Sequence, residues 1–479
     1  MTTGDFASTY PERLEQAASE LRSLLGARAS TAMAVRDHHS HGESYHPSAL
    51  PDAVCLPHST AEVSEILKIS AAHEVPVVPF GAGTSVEGQV NAIRGGITID
   101  LREMNKVLRV SAQDLDATVE AGVTRLQLNK TLANTGLTFF IDPGADCTIG
   151  GMASTRASGT TAVRYGTMAD NVLGLKVVLA DGTVIKTGSR ARKSSAGYDL
   201  TRLFVGSEGT LGVITEVTLK LHPLPEAVAA AICAFDDLRG AVETVIETMQ
   251  LGASVARIEL LDDKQMDAIN RYSKMDYPVA PTLFFEFHGL NDQHVSDQAA
   301  LAQSLAEQHG GREFQWATRL EDREKLWDAR HDAYYASLAL RPGCKGFVTD
   351  ICVPISRLAE CILETQEDNL GASFPMTLVG HVGDGNFHMA YMLNPDSEAE
   401  LNEAHRLLDR MVTRALAMDG TCTGEHGVGY GKIRYLEQEH GPAMDVMRAI
   451  KRALDPDNRM NPGKIVEPQK AATALPTGR

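Results

Sequence analysis

The stretch PFGAGTSVEG, residues 79–88, follows the apolar run VPVV and so opens where a buried strand ends. It carries Gly81, Gly83 and Gly88 with the hydroxyls of Thr84 and Ser85. Such a loop exposes successive backbone N–H groups, which suits a pyrophosphate. It is not a G-x-G-x-x-G fingerprint, because Val86 stands where the third glycine belongs, and no Gly-Lys-Ser/Thr makes it a Walker loop. Alone, it is explained equally by a tight turn with no ligand. Two further loops change the balance. DPGADCTIGGMASTRASGTTAVRYG, residues 142–166, places Gly144, Gly150, Gly151 and Gly159 among Thr148, Ser154, Ser158 and Thr160. VGSEGTLGVITEV, residues 205–217, adds Gly206, Gly209 and Gly212 with Ser207 and Thr210. Turns alone do not require so many; a long ligand with phosphates and a flat ring needs close backbone approach at several points.

The surrounding chain reads as alternating strands and helices. Its 479 residues, 43% of them apolar, can bury more than one core. An amphipathic helix is expected over the first 25 residues. RDHHSHGESYHPSALPDAV, with His38, His39, His41 and His46, reads as an exposed loop rather than a metal tract. Ser59 and Glu62 form a capping box before Val63, Ile66 and Leu67. ITIDL alternates like a half-buried strand, and Asp181-Gly182 marks a hairpin. VITEVTLKL ends at His222-Pro223-Leu224-Pro225, where a second unit begins with strands such as TLFFEFHG and helices such as SDQAALAQSLAEQHGG. Helices are expected again over 397–418 and 441–454. The expected organisation is a lead-in over 1–47, one domain over 48–225, an α+β domain over 226–455, and a returning C-terminal segment over 456–479 ending in the loose tail QKAATALPTGR.

The net charge of −17, from 62 acids against 45 bases, opposes binding to nucleic acid. No stretch reaches the apolar length of a membrane span, and the N-terminus has the layout of neither a secretory signal nor a transit peptide. Seven scattered cysteines without a C-x-x-C pair fit reduced thiols. The expected location is cytoplasmic, or peripheral to the inner membrane.

In the second half GHVGDGNFHMAYM, residues 380–392, surrounds a Gly383-Asp384-Gly385 hinge with His381 and His388. An odd separation puts two residues on opposite faces of a straight strand, but the hinge lets the chain turn so that both imidazoles reach one spot. GTCTGEHGVG, residues 420–429, supplies Glu425 and, beside it, His426. Two imidazoles and a carboxylate form a common divalent-metal set, with incidental loop histidines as the competing reading. His426 is either a base near neutral pKa or a structural histidine bonded to backbone.

The order PFGAGTSVEG, PGADCTIGGMASTRASG with AVRYGT, then GSEGTLGVITEVTLKL resembles the FAD-binding (PCMH-type) domain of the vanillyl-alcohol-oxidase flavoprotein superfamily. HVGDGNFH, TGEHGVG and MNPGK narrow the resemblance to its D-lactate, D-2-hydroxyglutarate and glycolate dehydrogenases. It covers residues 48 to 466 and implies an α+β fold: a two-part FAD domain, a substrate cap and a C-terminal segment returning to the flavin. It further implies that Pro79, Gly81, Ala82, Gly83, Thr84, Ser85 and Gly88 receive the pyrophosphate side of FAD. Pro143, Gly144, Ala145, Thr148, Gly150, Gly151, Ser154 and Ser158, with Gly209 and Gly212, would line the rest. Ile214 would lie near the adenine-ribose side and Asn461 near the isoalloxazine. Some relatives attach flavin through a histidine near the first loop; none stands between His73 and His222, so the flavin is expected to be non-covalent.

By the same resemblance His381, His388 and Glu425 ligate a divalent ion (zinc, manganese, iron or cobalt), and His426 is the base that takes the substrate hydroxyl proton while hydride passes to the flavin. Arg330, in KLWDARHDAYY, matches an arginine that clamps the substrate carboxylate; Trp327 and Tyr334 read as packing. The D-2-hydroxyglutarate dehydrogenases carry a lysine two residues before the position of Asp350, where this chain has Val348. RPGCKGFVTDICVPISRL, ARIELLDD and APTLFFEFHG instead resemble the mitochondrial, cytochrome-linked D-lactate dehydrogenases. D-lactate is therefore the expected substrate, although Lys345 could turn inward for a dicarboxylate. A D-2-hydroxyglutarate dehydrogenase, a glycolate dehydrogenase FAD subunit and a non-catalytic flavin- or metal-binding protein are the alternatives. With neither a haem-attachment motif nor an iron–sulfur cysteine cluster, the acceptor must be external: cytochrome c, a quinone or an electron-transferring flavoprotein. An acidic surface would suit a basic cytochrome.

Overall fold

The computed structural model describes residues 3–467, so the tail QKAATALPTGR lies outside the described residues. The first half holds two sheets. In one, Ala53–Cys55, Ile97–Asp100 and Val77–Phe80 run parallel, with Ala29–Ser30 antiparallel at the edge. The helix Thr60–Ala72 makes the crossover from the first of these strands toward Val77–Phe80, its N-terminus closed by the Ser59 hydroxyl accepting the Glu62 N–H. The reciprocal half of the capping box is missing. Glu62 accepts instead from the His58 N–H and pairs with Arg28 through both oxygens.

ITIDL is not half-buried: Ile97–Asp100 are all buried. A strand flanked by parallel neighbours is covered on both faces, so its polar alternates are buried too. One of them, Asp100, is paired with Arg102 and with His39. The histidine-rich segment is likewise not an exposed loop throughout, since His39 and His46 are buried. His39 stands between the Val35 carbonyl and Asp100, and His46 packs between Tyr45 and Tyr430.

The second sheet is antiparallel, in the order Val107–Ser111, Asp116–Glu120, Val213–Lys220, Val172–Val178, Val184–Lys186. The last two strands form the hairpin around Asp181-Gly182, with Gly182 at φ +85°. The chain then enters an eight-stranded antiparallel sheet, in which Val255–Leu261 lies beside Met376–Gly380 and that strand beside Asn386–Leu393. One face packs against the helices Leu238–Gln250, Asp292–Gln308, Leu358–Asp368 and Glu398–Ala417. The other meets Asp263–Ser273 together with Trp327 and Ala333–Ala339.

The KLWDARHDAYY segment divides into two helices, Leu320–His331 and Ala333–Ala339, so Trp327 and Tyr334 do not share one. Trp327 is buried, whereas Tyr334 is 42% exposed. An additional helix, Ile433–His440, precedes Ala443–Leu454. Ile450 and Leu454 of the last helix pack against the core of the antiparallel sheet in the first half. Met460 then bridges Val77 in parallel register. Residues 450–460 thus return to the first half, beside the strand that leads into its first glycine loop.

Candidate active site

The three glycine loops meet in one cleft between the two sheets of the first half, about 1200 Å³ counted to its open mouth. All the residues expected to hold FAD line it except Gly88 and Gly144. Gly88 is packed instead against Tyr430, whose ring a Cβ would strike at 2.3 Å. The loop Ala82–Ser85 has no backbone acceptor for its N–H groups among the described residues. The Ser85 hydroxyl is buried with no partner. Unpartnered donors gathered in a cleft are what a pyrophosphate satisfies. Side chains are excluded here by contact: a Cβ at Gly81 would stand 2.3 Å from Thr148 Oγ1, and one at Gly209 (φ +71°) 2.7 Å from Pro79. Asn461, at φ +40°, donates its amide to the carbonyls of Gln89 and Glu208 and so ties the first and third loops together. The residues present fit FAD.

Glu425 and His426 line the same cleft. The hinge performs the turn expected of it. Met376–Gly380 and Asn386–Leu393 form a tight hairpin with Val379 opposite His388, and Gly385 adopts φ +80° with the Val353 carbonyl 2.1 Å from where a Cβ would be. His381 and His388 thereby come to 5.4 Å between ring centroids. His381 Nδ1 donates to Glu259 Oε1 at 2.7 Å, and His388 Nδ1 to the Thr349 carbonyl at 3.0 Å. With both Nδ1 atoms engaged, both Nε2 atoms face Glu425 Oε1, at 3.0 and 3.3 Å. The other Glu425 oxygen is buried without a partner. This is the pattern of metal-ligating histidines oriented by outer acceptors. Charge agrees. Burial disfavours a cation at His381, but Glu259 and Glu425 outweigh it and raise His381 well above its ordinary value. A divalent ion would compete with that proton for the same lone pair.

Asp350, His388 and His426 form a second group close enough to share an ion. Its carboxylate is already committed, Oδ1 to Asn386 and Oδ2 to Thr423 Oγ1 and the N–H groups of Glu425 and His426. The first set therefore carries the metal reading. Burial opposes the charge on Asp350, but Lys432 and His426 nearby hold it well below the usual range.

The His426 ring stacks on His388 at 4.8 Å, and its Nδ1 is buried with no partner. Burial lowers its pKa, so the neutral imidazole is favoured. Its backbone is gripped from both sides: Gln89 Nε2 donates to its carbonyl at 2.8 Å, and Asp350 accepts its N–H at 2.9 Å. Glu208 accepts the N–H groups of Val428 and Gly429.

Arg330 pairs with Glu259, its Nε and Nη2 each 2.8 Å from Oε2. Glu259 is fully buried; the burial opposes its charge, and His381 and Arg330 together hold it below the usual carboxylate value. Sequence reading passed over Glu259, Glu208 and Lys432, and used Asp350 only as a landmark. A visible signal existed for Glu259, a carboxylate inside the apolar strand ARIELL. The other partners lie too far along the chain to be paired by eye.

Residues 51–188 match the FAD binding domain family, and residues 224–465 the family described as FAD linked oxidases, C-terminal domain. Over 459 residues the chain is 49% identical to a probable mitochondrial D-lactate dehydrogenase of Danio rerio, covering 95% of this chain and 92% of that one. It is 46% identical to the mitochondrial D-lactate dehydrogenase (cytochrome) of Arabidopsis thaliana, covering 96% and 81%. It is 34% identical to the glycolate oxidase subunit GlcD of Bacillus subtilis, covering 87% and 89%. Among solved structures, p-cresol methylhydroxylase superposes with a TM-score of 0.79 at 18% identity, over 95% of this chain and 97% of that one, which shows a shared fold. Fold and cleft thus define a flavoprotein oxidoreductase. The chain belongs to the FAD-linked oxidase family. No helix among the described residues is long and apolar enough to cross a membrane.

Proposed function

We propose that this protein oxidises a D-2-hydroxy acid, with D-lactate to pyruvate as its reaction, and passes the electrons to an external acceptor: cytochrome c, a quinone or an electron-transferring flavoprotein. The observation that carries the reading is the placement of Glu425 and His426 in the wall of the glycine-loop cleft, beside the Nε2 atoms of His381 and His388. The curated relatives named as D-lactate dehydrogenases support the choice of substrate.

In this reading His426 takes the substrate hydroxyl proton, its low basicity keeping it unprotonated and ready. Arg330 meets the carboxylate with Nη1, since Glu259 occupies its other two nitrogens. His381, His388 and Glu425 would hold a zinc, manganese, iron or cobalt ion, whose Lewis acidity would make the hydroxyl easier to deprotonate. FAD held by the glycine loops would supply the hydride-accepting chemistry for the C2 hydrogen.

The flavin is held without a covalent bond. His426 is the one histidine among the residues lining the cleft, and burial raises the thiol of Cys147, which is hydrogen-bonded to Thr84 and so a poor nucleophile. Val348 and the exposed Lys345, whose Nζ lies 3.5 Å from the Tyr45 carbonyl, favour a monocarboxylate over D-2-hydroxyglutarate. The test is the anaerobic visible spectrum of the purified protein. A flavin band that bleaches with D-lactate and not L-lactate is the expected result. Bleaching only with D-2-hydroxyglutarate or glycolate overturns the substrate, and no bleaching by any of them points to a non-catalytic flavoprotein.

A further inference from the structure

Lys432 stands at the centre of a buried ionic chain that joins loops from opposite halves of the molecule. It is 1% exposed; burial opposes its charge, and Glu87 and Asp350 beside it outweigh that and raise it above its ordinary value. Its Nζ lies 3.3 Å from Glu87 Oε1, 3.2 Å from the Asp350 carbonyl and 3.5 Å from Asp350 Oδ2. Glu87 belongs to the first glycine loop, two residues beyond Ser85. Its own carbonyl accepts the Tyr430 N–H at 3.2 Å. Gln89, in the same loop, accepts the Glu87 N–H and donates to the His426 carbonyl. At the other end Asp350 accepts the N–H groups of both Glu425 and His426. Among the described residues, no hydrogen bond or ion pair joins Glu87 or Lys432 to the side chains of His381, His388 or Glu425. The loop that faces the pyrophosphate and the loop that presents the metal ligand and the base are therefore wired together behind the site.

A lysine buried between two carboxylates compensates both, and without it each would be left short of a counter-charge in a dry environment. We propose that Lys432 is a positioning residue: through Glu87 and Asp350 it fixes the Glu425–His426 backbone against the first glycine loop, so that a change on the cofactor side alters metal affinity and hydride-transfer geometry. The inference rests on the reading of His381, His388 and Glu425 as metal ligands. Its consequence is a coupling between sites that share no ligand.

The test uses Glu87→Gln, which keeps shape, removes one charge and leaves Lys432 its contacts with Asp350. Holoenzyme freed of metal by chelation is titrated with Mn²⁺, free ion is read by electron paramagnetic resonance, and flavin content is read by absorbance. Anaerobic single-turnover reduction by D-lactate then separates the reduction rate from substrate affinity. The expected result is Mn²⁺ binding weakened by about fivefold or more, with flavin content retained. The reduction rate falls about tenfold, more than the apparent affinity for D-lactate. Unchanged Mn²⁺ affinity in folded Glu87→Gln holoenzyme overturns the proposal whatever the rate does. Lys432→Met moves the same quantities further where it folds; where it does not, Glu87→Gln decides. Parent protein that takes up no Mn²⁺ overturns the ligand assignment itself and the coupling with it, a failure distinct from equal affinity in parent and variant.

Discussion

Replacing Glu259 by glutamine tests the metal reading where it is least obvious, at a residue that would touch neither ion nor substrate. The carboxylate accepts the Nδ1 proton of His381 at 2.7 Å and so commits Nε2, which faces Glu425, as the nitrogen to be offered to an ion. A glutamine amide can present its NH₂ instead, which favours the opposite tautomer and removes the charge that makes His381 a better donor. Loss of such an outer partner weakens metal binding by about 10- to 100-fold, or roughly 1.4–2.7 kcal/mol. Stability falls as well, because Arg330 loses its counter-charge. The Arg330 side chain is 17% exposed, so water offsets part of the loss, and the cost should stay below the roughly 3–5 kcal/mol of unpairing a fully buried ion. The assay is metal content after dialysis against graded metal buffers, with the thermal midpoint measured on the same samples. Folded Glu259→Gln protein that holds its metal as tightly as the parent would refute the argument that His381 is a ligand set by Glu259.

Other perturbations bear on the remaining parts. His426→Ala should retain flavin and metal but lose about 10²–10⁴-fold in the rate of flavin reduction by D-lactate; a rate equal to the parent's removes it as the base. Chelation should abolish turnover while the visible flavin spectrum persists, and activity should return on adding the ion back; full activity in metal-free protein would sink the metal role. Gly209→Ala puts a Cβ at φ +71° and 2.7 Å from Pro79, so purified protein should carry less flavin and be destabilised by about 1–3 kcal/mol; normal flavin content would contradict the close-approach reading. Asp262 caps the helix Asp263–Ser273, and burial pushes its carboxyl up to about 7. The folded state thus holds its proton more tightly than the unfolded chain, so this group's contribution to stability falls as pH rises from about 4 to 7 and stays low above. Asn also caps helices, so Asp262→Asn should match the parent near pH 4 and exceed it at pH 8 by about 2–4 kcal/mol in urea unfolding. Parallel pH profiles for the two proteins would refute this.

The dinucleotide cleft was legible because its determinants are local: a loop that must let a ligand approach writes glycine and hydroxyl residues next to one another. The meeting of His381 and His388 was legible for a similar reason, since Gly383 and Gly385 announce a turn that brings the two together within one hairpin. ITIDL was misread because alternation reports one covered face, whereas this strand has parallel neighbours on both sides and is buried on both faces, Thr98 and Asp100 included. His39 and His46 were misplaced since burial of a histidine depends on partners such as Asp100 and Tyr430 that no local pattern reveals. Lys432 and Asp350 stand 82 positions apart, and Glu87 is farther still, so their chain exists only in the folded molecule.

The return of the C-terminal segment has a consequence for how the protein is made. Asn461 bonds the carbonyls of Gln89 and Glu208, and Met460 pairs with Val77, so the wall of the cofactor cleft is completed by residues that leave the ribosome only after the whole eight-stranded sheet. The unit that synthesis delivers first is finished only after the second has emerged. A finished FAD cleft therefore waits for residues beyond the second unit, and a ribosome that stalls before residue 460 leaves behind a flavin fold with an open seam.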